Sequence, residues 1–256
     1  MIFHDTLHIE FYHKSLWNEY IFINVRKDNK NVVEYKKLGL QIINLYDFKD
    51  FHSIGKWYTE SEVMYNIFKN KYLYENEDFI GFSQHDIDTS EITKDKLIEF
   101  FKTQNHINFQ PYNFETDFNQ KILMDEKKPN TLRGKGKNVY FSILEDYNEF
   151  YKTQYIIKNL ENKELNLCST FIITKNLFEN MMVFTSKIIE SRKLDHFDTE
   201  RKNRIQGGFL ERYYGVWLAF ANTTNYSLPL VHNFFETTNS KSIIHILIQK
   251  LKNLLK

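Results

Sequence analysis

Short apolar runs closed by polar turns alternate along this chain with stretches whose apolar positions recur every three or four residues. That is the signature of strands interleaved with amphipathic helices. The opening MIFHDTLHIEFY fits neither period over so short a span, and reads as a short strand followed by helix. YIFINV (Tyr20 to Val25) predicts a buried strand closed by the polar turn RKDNKN, and LGLQIINL (Leu38 to Leu45) predicts another closed by YDFKD. In KWYTESEVMYNIFKNKYLY, Thr59 precedes Glu62 by three residues, the spacing of a capping box. Val63, Met64, Ile67, Phe68 and Tyr72 then follow along one helical face. This helix leads into EDFIGFSQHDID (77–88), where Phe79, Ile80 and Phe82 form a short buried strand and the following residues a polar loop.

DKLIEFFKTQ predicts a returning helix, and HINFQPYNF a short strand broken by Pro111. Residues 115–138 carry the densest turn chemistry in the chain, with Pro129, Asn130, Gly134 and Gly136 beside Arg133, Lys135 and Lys137. Residues 139–159 are helical in part, LNLCSTFIITK (Leu165 to Lys175) reads as one central strand, and NLFENMMVFTSKIIESRKL as a helix. Phe209, Tyr213, Val216, Trp217 and Phe220 then make an apolar helical stripe. SLPLVHNF (Ser227 to Phe234) is a late short strand, and residues 240–256 an amphipathic basic helix. The alternation places the chain in the α/β class.

Composition narrows this reading. The 256 residues can bury one sizeable core, and no Pro/Gly/Ser-rich linker divides them. A formal net charge of +1 provides no global field to attract nucleic acid, so no nucleic-acid partner is expected and any charged ligand is held locally. The single cysteine, Cys168, excludes a disulfide framework, suits a reducing cytoplasm and sits in an apolar run that reads as core. The amino terminus lacks a basic start followed by a long apolar segment, and no run reaches about 18 apolar residues, so a soluble or peripheral protein is expected.

The chemistry concentrates at FIGFSQHDID. Open α/β sheets hold ligands outside the carboxyl ends of their strands. Asp86 and Asp88, one residue apart at such an end, can hold a hard divalent ion, Mg²⁺ or Mn²⁺, while the ion bridges a diphosphate. The D-x-D pattern also arises by chance in solvated loops, so its position after a buried strand carries the weight. His85 is placed to orient this loop or touch a bound donor. Arg133 and Lys135 can meet the donor diphosphate, although an exposed charge run is more often simply solvated.

Four segments in order, GKWYTESEVMYNIFKN, FIGFSQHDID, STFIITKNLFE and GGFLERYYGVWLAF, resemble the bacterial glycosyltransferases of capsule and cell-surface polysaccharide synthesis. In these a glutamate-bearing helix precedes an "IGF-x-x-(H/Y)" strand and an "F-x-x-ER" helix follows late. The resemblance spans roughly residues 55 to 235. It implies a GT-A-like, single-domain nucleotide-sugar-binding sandwich with a mixed, mostly parallel central sheet over residues 1–239, with residues 240–256 as an appended helix. It further implies a nucleotide-diphosphate sugar donor, a glycan or lipid-linked saccharide acceptor, and Asp86 and Asp88 as metal and donor ligands. By the same resemblance Glu211, three residues beyond Gly208, is the base that takes the acceptor proton in an inverting enzyme, and His232 a further metal ligand. Related chains often carry a basic or aromatic residue where this one has His85 and Asp86, which puts uniform metal dependence among them in doubt.

Each assignment has a plainer counterpart. Glu211 can pair with Arg212 or sit at a helix start for its dipole, and a histidine ending an apolar strand is commonly a hydrogen-bonded structural residue. The C-terminal helix, with Ile243, Leu247, Leu251 and Leu254 opposite Lys241, Lys250 and Lys252, can rest on an anionic inner-membrane surface, on its own domain or on a second subunit. The expected location is cytoplasmic, at most peripheral on that membrane. The rival functional reading is a non-catalytic glycan-binding or assembly protein that keeps the glycosyltransferase fold.

Overall fold

Alternating isoleucine and phenylalanine positions build the first sheet. The computed structural model describes residues 1–3, 6–55, 58–85, 87–118, 139–195, 205–221 and 223–230. Strands β1 (Ile2–Phe3), β2 (Phe22–Asn24) and β3 (Ile42–Asn44) pair in parallel, with Ile2 level with Ile23 and Phe22 level with Ile42. Because successive side chains leave opposite faces, Ile2 and Ile23 enter the main core while Phe3, Phe22 and Ile42 enter a second cluster on the other side. Between β2 and β3 the chain forms α1 (Asn31–Lys37), where the sequence predicts only a turn. That helix buries Val32 alone, so it leaves no periodic signal to read.

Strands β4 (Phe79–Phe82), β5 (His106–Asn108), β6 (Pro111–Asn113), β7 (Glu164–Asn166), β8 (Phe171–Thr174) and β9 (Asn225–Ser227) complete the β structure. Four of them form a sheet in the order β4-β8-β5-β9, and β6 pairs with β7 as a separate antiparallel ribbon. Strand β8 is antiparallel to both β4 and β5, while β5 and β9 are parallel. The two larger sheets meet where β1 touches the end of β4, through a parallel bridge from Ile2 to Gln84 and an Ile2 N–H to Ser83 O bond of 3.1 Å. The strands therefore follow the order β3-β2-β1-β4-β8-β5-β9, all running one way except β8. The expected mixed, mostly parallel sheet is observed.

Helices cover both faces. On one side α2 (Glu60–Lys69), with buried Val63, Met64 and Ile67, belongs to the main core. On the opposite face, α3 (Lys94–Phe101) stacks Phe101 on Phe79 at 3.7 Å between ring centroids and Phe100 on Tyr226 at 4.6 Å. Helices α4 (Val139–Tyr151), α5 (Lys175–Glu190) and α6 (Ile205–Phe220) join α2 on the main-core side. Helix α6 is buried nearly all round, Leu210, Tyr213, Tyr214, Val216 and Leu218 included, as suits an internal helix rather than a surface one. Its glycines permit close approach. A Cβ at Gly207 would lie 3.2 Å from Tyr58 O, ahead of α2, and one at Gly215 would lie 2.9 Å from Asn166 O on β7.

Four further local readings differ from the structure. The opening forms 3-10 turns (Ile9–Phe11 and Lys14–Leu16) in place of a helix after β1. Thr59 has φ 53° and makes no side-chain cap bond. The Glu62 carboxylate instead accepts from Ser53 Oγ, Ile54 N and Gly55 N, tying down the loop before the helix. The predicted strand Leu165–Lys175 divides into β7 and β8, because Cys168 and Ser169 both adopt left-handed backbone (φ 63° and 48°) and break the ladder. The late strand begins two residues earlier than predicted, at Asn225–Ser227, and residues 231–234 of the predicted strand lie outside the described residues.

Burial of His106 on β5 has a measurable consequence. Desolvation lowers its pKa from the ordinary 6.5 to about 4, so the folded chain carries it neutral. The unfolded chain takes up that proton as pH falls below 6.5 and the folded one only near 4. Stability is therefore expected to fall by about 3 kcal/mol across this window. Urea melts at pH 7 and pH 4.5 should show a steeper loss for the wild type than for His106→Gln; equal slopes would contradict the assignment.

Candidate functional site

The carboxyl ends of β1, β2, β3 and β4 lie along one edge of the joined sheet, because these strands are parallel and adjacent. Asparagines line the part belonging to β2 and β3. Asn24 Nδ2 donates to Asn44 Oδ1 at 3.0 Å, Asn29 Nδ2 to Asn24 Oδ1 at 3.1 Å, and Asn44 Nδ2 to Asp47 Oδ2 at 2.7 Å. This network is a polar rim that the sequence analysis missed, since single asparagines in an Asn-rich chain carry little signal.

The loop after β4 is fastened on two sides. Toward β1, both the N–H and Oγ1 of Thr89 donate to Phe11 O at 2.8 Å, and Tyr12 pairs with Thr89 in a parallel bridge. Toward β8, Gln84 Nε2 donates to Cys168 O at 3.0 Å, and Thr170 Oγ1 donates to the same carbonyl at 2.9 Å. The carbonyl so held belongs to the left-handed kink of Cys168 and Ser169. Consecutive left-handed residues other than glycine are costly conformations that the surrounding structure must impose, and nothing in the local sequence announces them. Ser169 is buried, and its hydroxyl has no hydrogen-bond partner among the described residues. Cys168 is only partly buried and packs at the margin of the main core.

Of the residues singled out from sequence, His85, Asp88 and Glu211 fall within the described structure, whereas Asp86, Arg133, Lys135 and His232 lie outside it. His85 is buried in the loop after β4, its ring stacked at 6.5 Å on that of His8 from the loop after β1. Asp88 is half-buried. Its Oδ1 accepts from Ser90 N at 3.0 Å and Ser90 Oγ at 2.6 Å, an Asx-type turn that fixes the carboxylate. Oδ2 of the same group has no hydrogen bond among the described residues. Among those residues no three His, Cys, Asp or Glu side chains gather as a metal site.

Glu211 lies on α6, with its side chain 21% exposed and Oε2 3.7 Å from Arg212 Nη1. That contact is loose because Arg212 is committed elsewhere. Its Nε and Nη2 donate to the two Asp117 oxygens at 2.9 and 3.0 Å, and its Nη1 to Gly208 O at 2.8 Å. Tyr140 Oη donates to Asp117 Oδ2 at 2.6 Å. The whole cluster is buried. Burial by itself would favour a neutral Arg212, but Asp117 outweighs it and holds the guanidinium charged. Burial first, and Asp117 second, keep the Tyr140 phenol protonated. Asp117 lies at the start of residues 115–138, the stretch with the densest turn chemistry in the sequence, and Arg212 directly follows Glu211. Sequence reasoning missed Asp117, since nothing local marks a partner 95 residues distant.

These features define an α/β fold in which helices cover both faces of a largely parallel sheet and one strand runs against the rest. No family model matches the chain, and no curated protein matches it. A solved structure shares the fold: the apo form of WbbM, a bifunctional glycosyltransferase, superposes with a TM-score of 0.54 at 10% identity over 75% of this chain. The match spans 39% of the WbbM chain, well under half its length. Among the described residues no helix is long and apolar enough to cross a membrane.

Proposed function

We propose that this chain is a GT-A-like glycosyltransferase that moves a sugar from a nucleotide-diphosphate donor to a hydroxyl of a capsular or other cell-surface glycan. The observation that carries the reading is the strand order β3-β2-β1-β4-β8-β5-β9 with β8 alone reversed, in a fold shared with a solved glycosyltransferase. A polar rim and a doubly fastened aspartate loop lie at its carboxyl edge.

In this reading residues 1–239 form the catalytic domain, and residues 240–256 an accessory helix for an inner-membrane or partner surface. The donor diphosphate lies against the loop after β4. Asp88, fixed through Oδ1, offers Oδ2, and Asp86 and His232 complete the set for Mn²⁺ or Mg²⁺; carboxylate oxygens suit such hard ions. A divalent ion held by these residues would neutralise the diphosphate and supply Lewis-acid stabilisation of the charge on the departing nucleotide. His85 shapes the loop beneath the donor, and Arg133 and Lys135 supply positive charge to the phosphates. In an inverting reaction, a single displacement at the anomeric carbon, Glu211 accepts the proton of the attacking hydroxyl; in a retaining one it has another role.

Asp88→Ala tests the donor site. With about 1 mM Mn²⁺ present, a panel of nucleotide-diphosphate sugars should include one class that raises the melting temperature of the wild type. The variant, equally folded by circular dichroism, should bind that donor about 10-fold or more weakly. An unchanged shift in the variant would remove Asp88 from the site.

A further inference from the structure

Three costly features meet in two residues between β7 and β8. Cys168 and Ser169 take left-handed backbone in succession, with φ 63° and 48°, and the Ser169 hydroxyl is buried with no hydrogen-bond partner among the described residues. Residues other than glycine hold such conformations only where the surrounding structure imposes them, and such strain gathers at functional sites. Turning the chain from one strand to the next requires none of this, since glycine would make the same turn without strain. The kink has a second use.

That use is visible at the Cys168 carbonyl. On one side of it Leu167 N donates to Gln110 O, and on the other Phe109 N donates to Thr170 O, so backbone pairing flanks the kink. Between them Cys168 O accepts from two side chains, Gln84 Nε2 at 3.0 Å and Thr170 Oγ1 at 2.9 Å. A carbonyl only accepts, so it is the amide nitrogen of Gln84, and not its oxygen, that faces it. Gln84 stands two residues past β4 and four before Asp88. Its own O accepts from Ile87 N at 3.2 Å, which closes a turn, and beyond Asp88 the N–H and Oγ1 of Thr89 both donate to Phe11 O at 2.8 Å. Asp88 is carried between two anchors, and the kink is one of them.

We propose that Gln84 is a positioning residue for Asp88: by holding the Cys168 carbonyl at the left-handed kink, it fixes the loop whose carboxylate meets the donor diphosphate. What Asp88 binds rests on the donor reading above; the anchoring itself does not. With Gln84 released, the turn to Ile87 and the bonds from Ser90 to Asp88 Oδ1 are held from the Phe11 side alone. A ligand must then order the loop as it binds, and affinity falls by that cost. The strain at Cys168 and Ser169 is explained in the same way. It presents an acceptor to the one side chain of the loop that reaches across to the β8 side.

The test is Gln84→Met, which keeps the length of the side chain and removes its donor. Hydrogen exchange, read by NMR on the full chain, should be about 5-fold or more faster in the variant at the Ile87 and Ser90 amides, with Ile173 in β8 unchanged. Titration with UDP, GDP, ADP and dTDP, each with about 1 mM Mn²⁺, should show the nucleotide that the wild type binds held about 5-fold or more weakly by the variant. Thr185→Val gives up a buried hydroxyl bond of 2.9 Å to Met181 O in α5. It controls for a general loss of stability and should match the wild type in both readouts. Exchange at Ile87 and Ser90 equal to wild type would overturn the proposal, whatever binds. Faster exchange with nucleotide affinity unchanged would also overturn it, because the order of the loop would then serve no ligand. A wild type that binds none of the four nucleotides, with exchange still faster in the variant, overturns the donor reading and supports Gln84 as the anchor of the loop.

Discussion

Asp117→Ala is expected to cost the fold about 3–5 kcal/mol, because it strands the Arg212 guanidinium in the interior with only the loose 3.7 Å contact to Glu211 to answer it. Side-chain exposures of 9% for Arg212 and 3% for Asp117 mean that water cannot take over the role. The Tyr140 hydroxyl loses its acceptor in the same step. Urea denaturation should show the loss directly as a lowered midpoint with little change in slope. The double variant Asp117→Ala, Arg212→Met should recover much of it, since removing both charges abolishes the buried unpaired ion. A single variant within about 1 kcal/mol of wild type would mean that the pair is not buried as described.

Glu211→Gln carries the largest expected effect on turnover. The substitution preserves size and gives up only a loose 3.7 Å ion pair, while Arg212 keeps its two bonds to Asp117, so the melting temperature should change little. The proposed role, accepting the proton of the acceptor hydroxyl, is lost with the carboxylate, and kcat should fall by about 10²–10⁴ with donor affinity retained. Equal losses in donor affinity and turnover would assign Glu211 to binding instead.

Much of the architecture is legible from hydrophobic period alone. The stripe Val63, Met64, Ile67 and the run Phe79, Ile80, Phe82 appear where the sequence places them, and α3, α5 and α6 follow their predicted segments. What escapes has physical causes. Helix α1 buries only one side chain and so has no apolar stripe. The break between β7 and β8 occurs at Cys168 and Ser169, residue types that announce no turn, because their left-handed backbone is imposed by Gln84 and Thr170 holding the Cys168 carbonyl. Thr59 is read as a cap because its spacing to Glu62 is right, but the carboxylate finds three donors in the preceding loop.

The candidate site divides in the same way. The strand-end position of the loop bearing His85 and Asp88 follows from the apolar run before it. Its bonds to Phe11 and Cys168 come from residues far apart in the chain and have no local signature. The Asp117–Arg212 pair is likewise a product of tertiary folding. Its proximity to Glu211 explains in part why the ER dipeptide stands where it does: the arginine anchors α6 internally, and the glutamate beside it keeps partial access to solvent.

The most direct measurement is the release of nucleoside diphosphate from a panel of nucleotide-diphosphate sugars by the purified chain, with Mn²⁺ and then with a chelator. The account predicts that one donor class is consumed, that chelation stops it, and that Glu211→Gln slows it while the fold persists. A folded chain that neither binds nor consumes any nucleotide sugar, with or without Mn²⁺, would contradict it and favour a glycan-binding or assembly protein on the same fold.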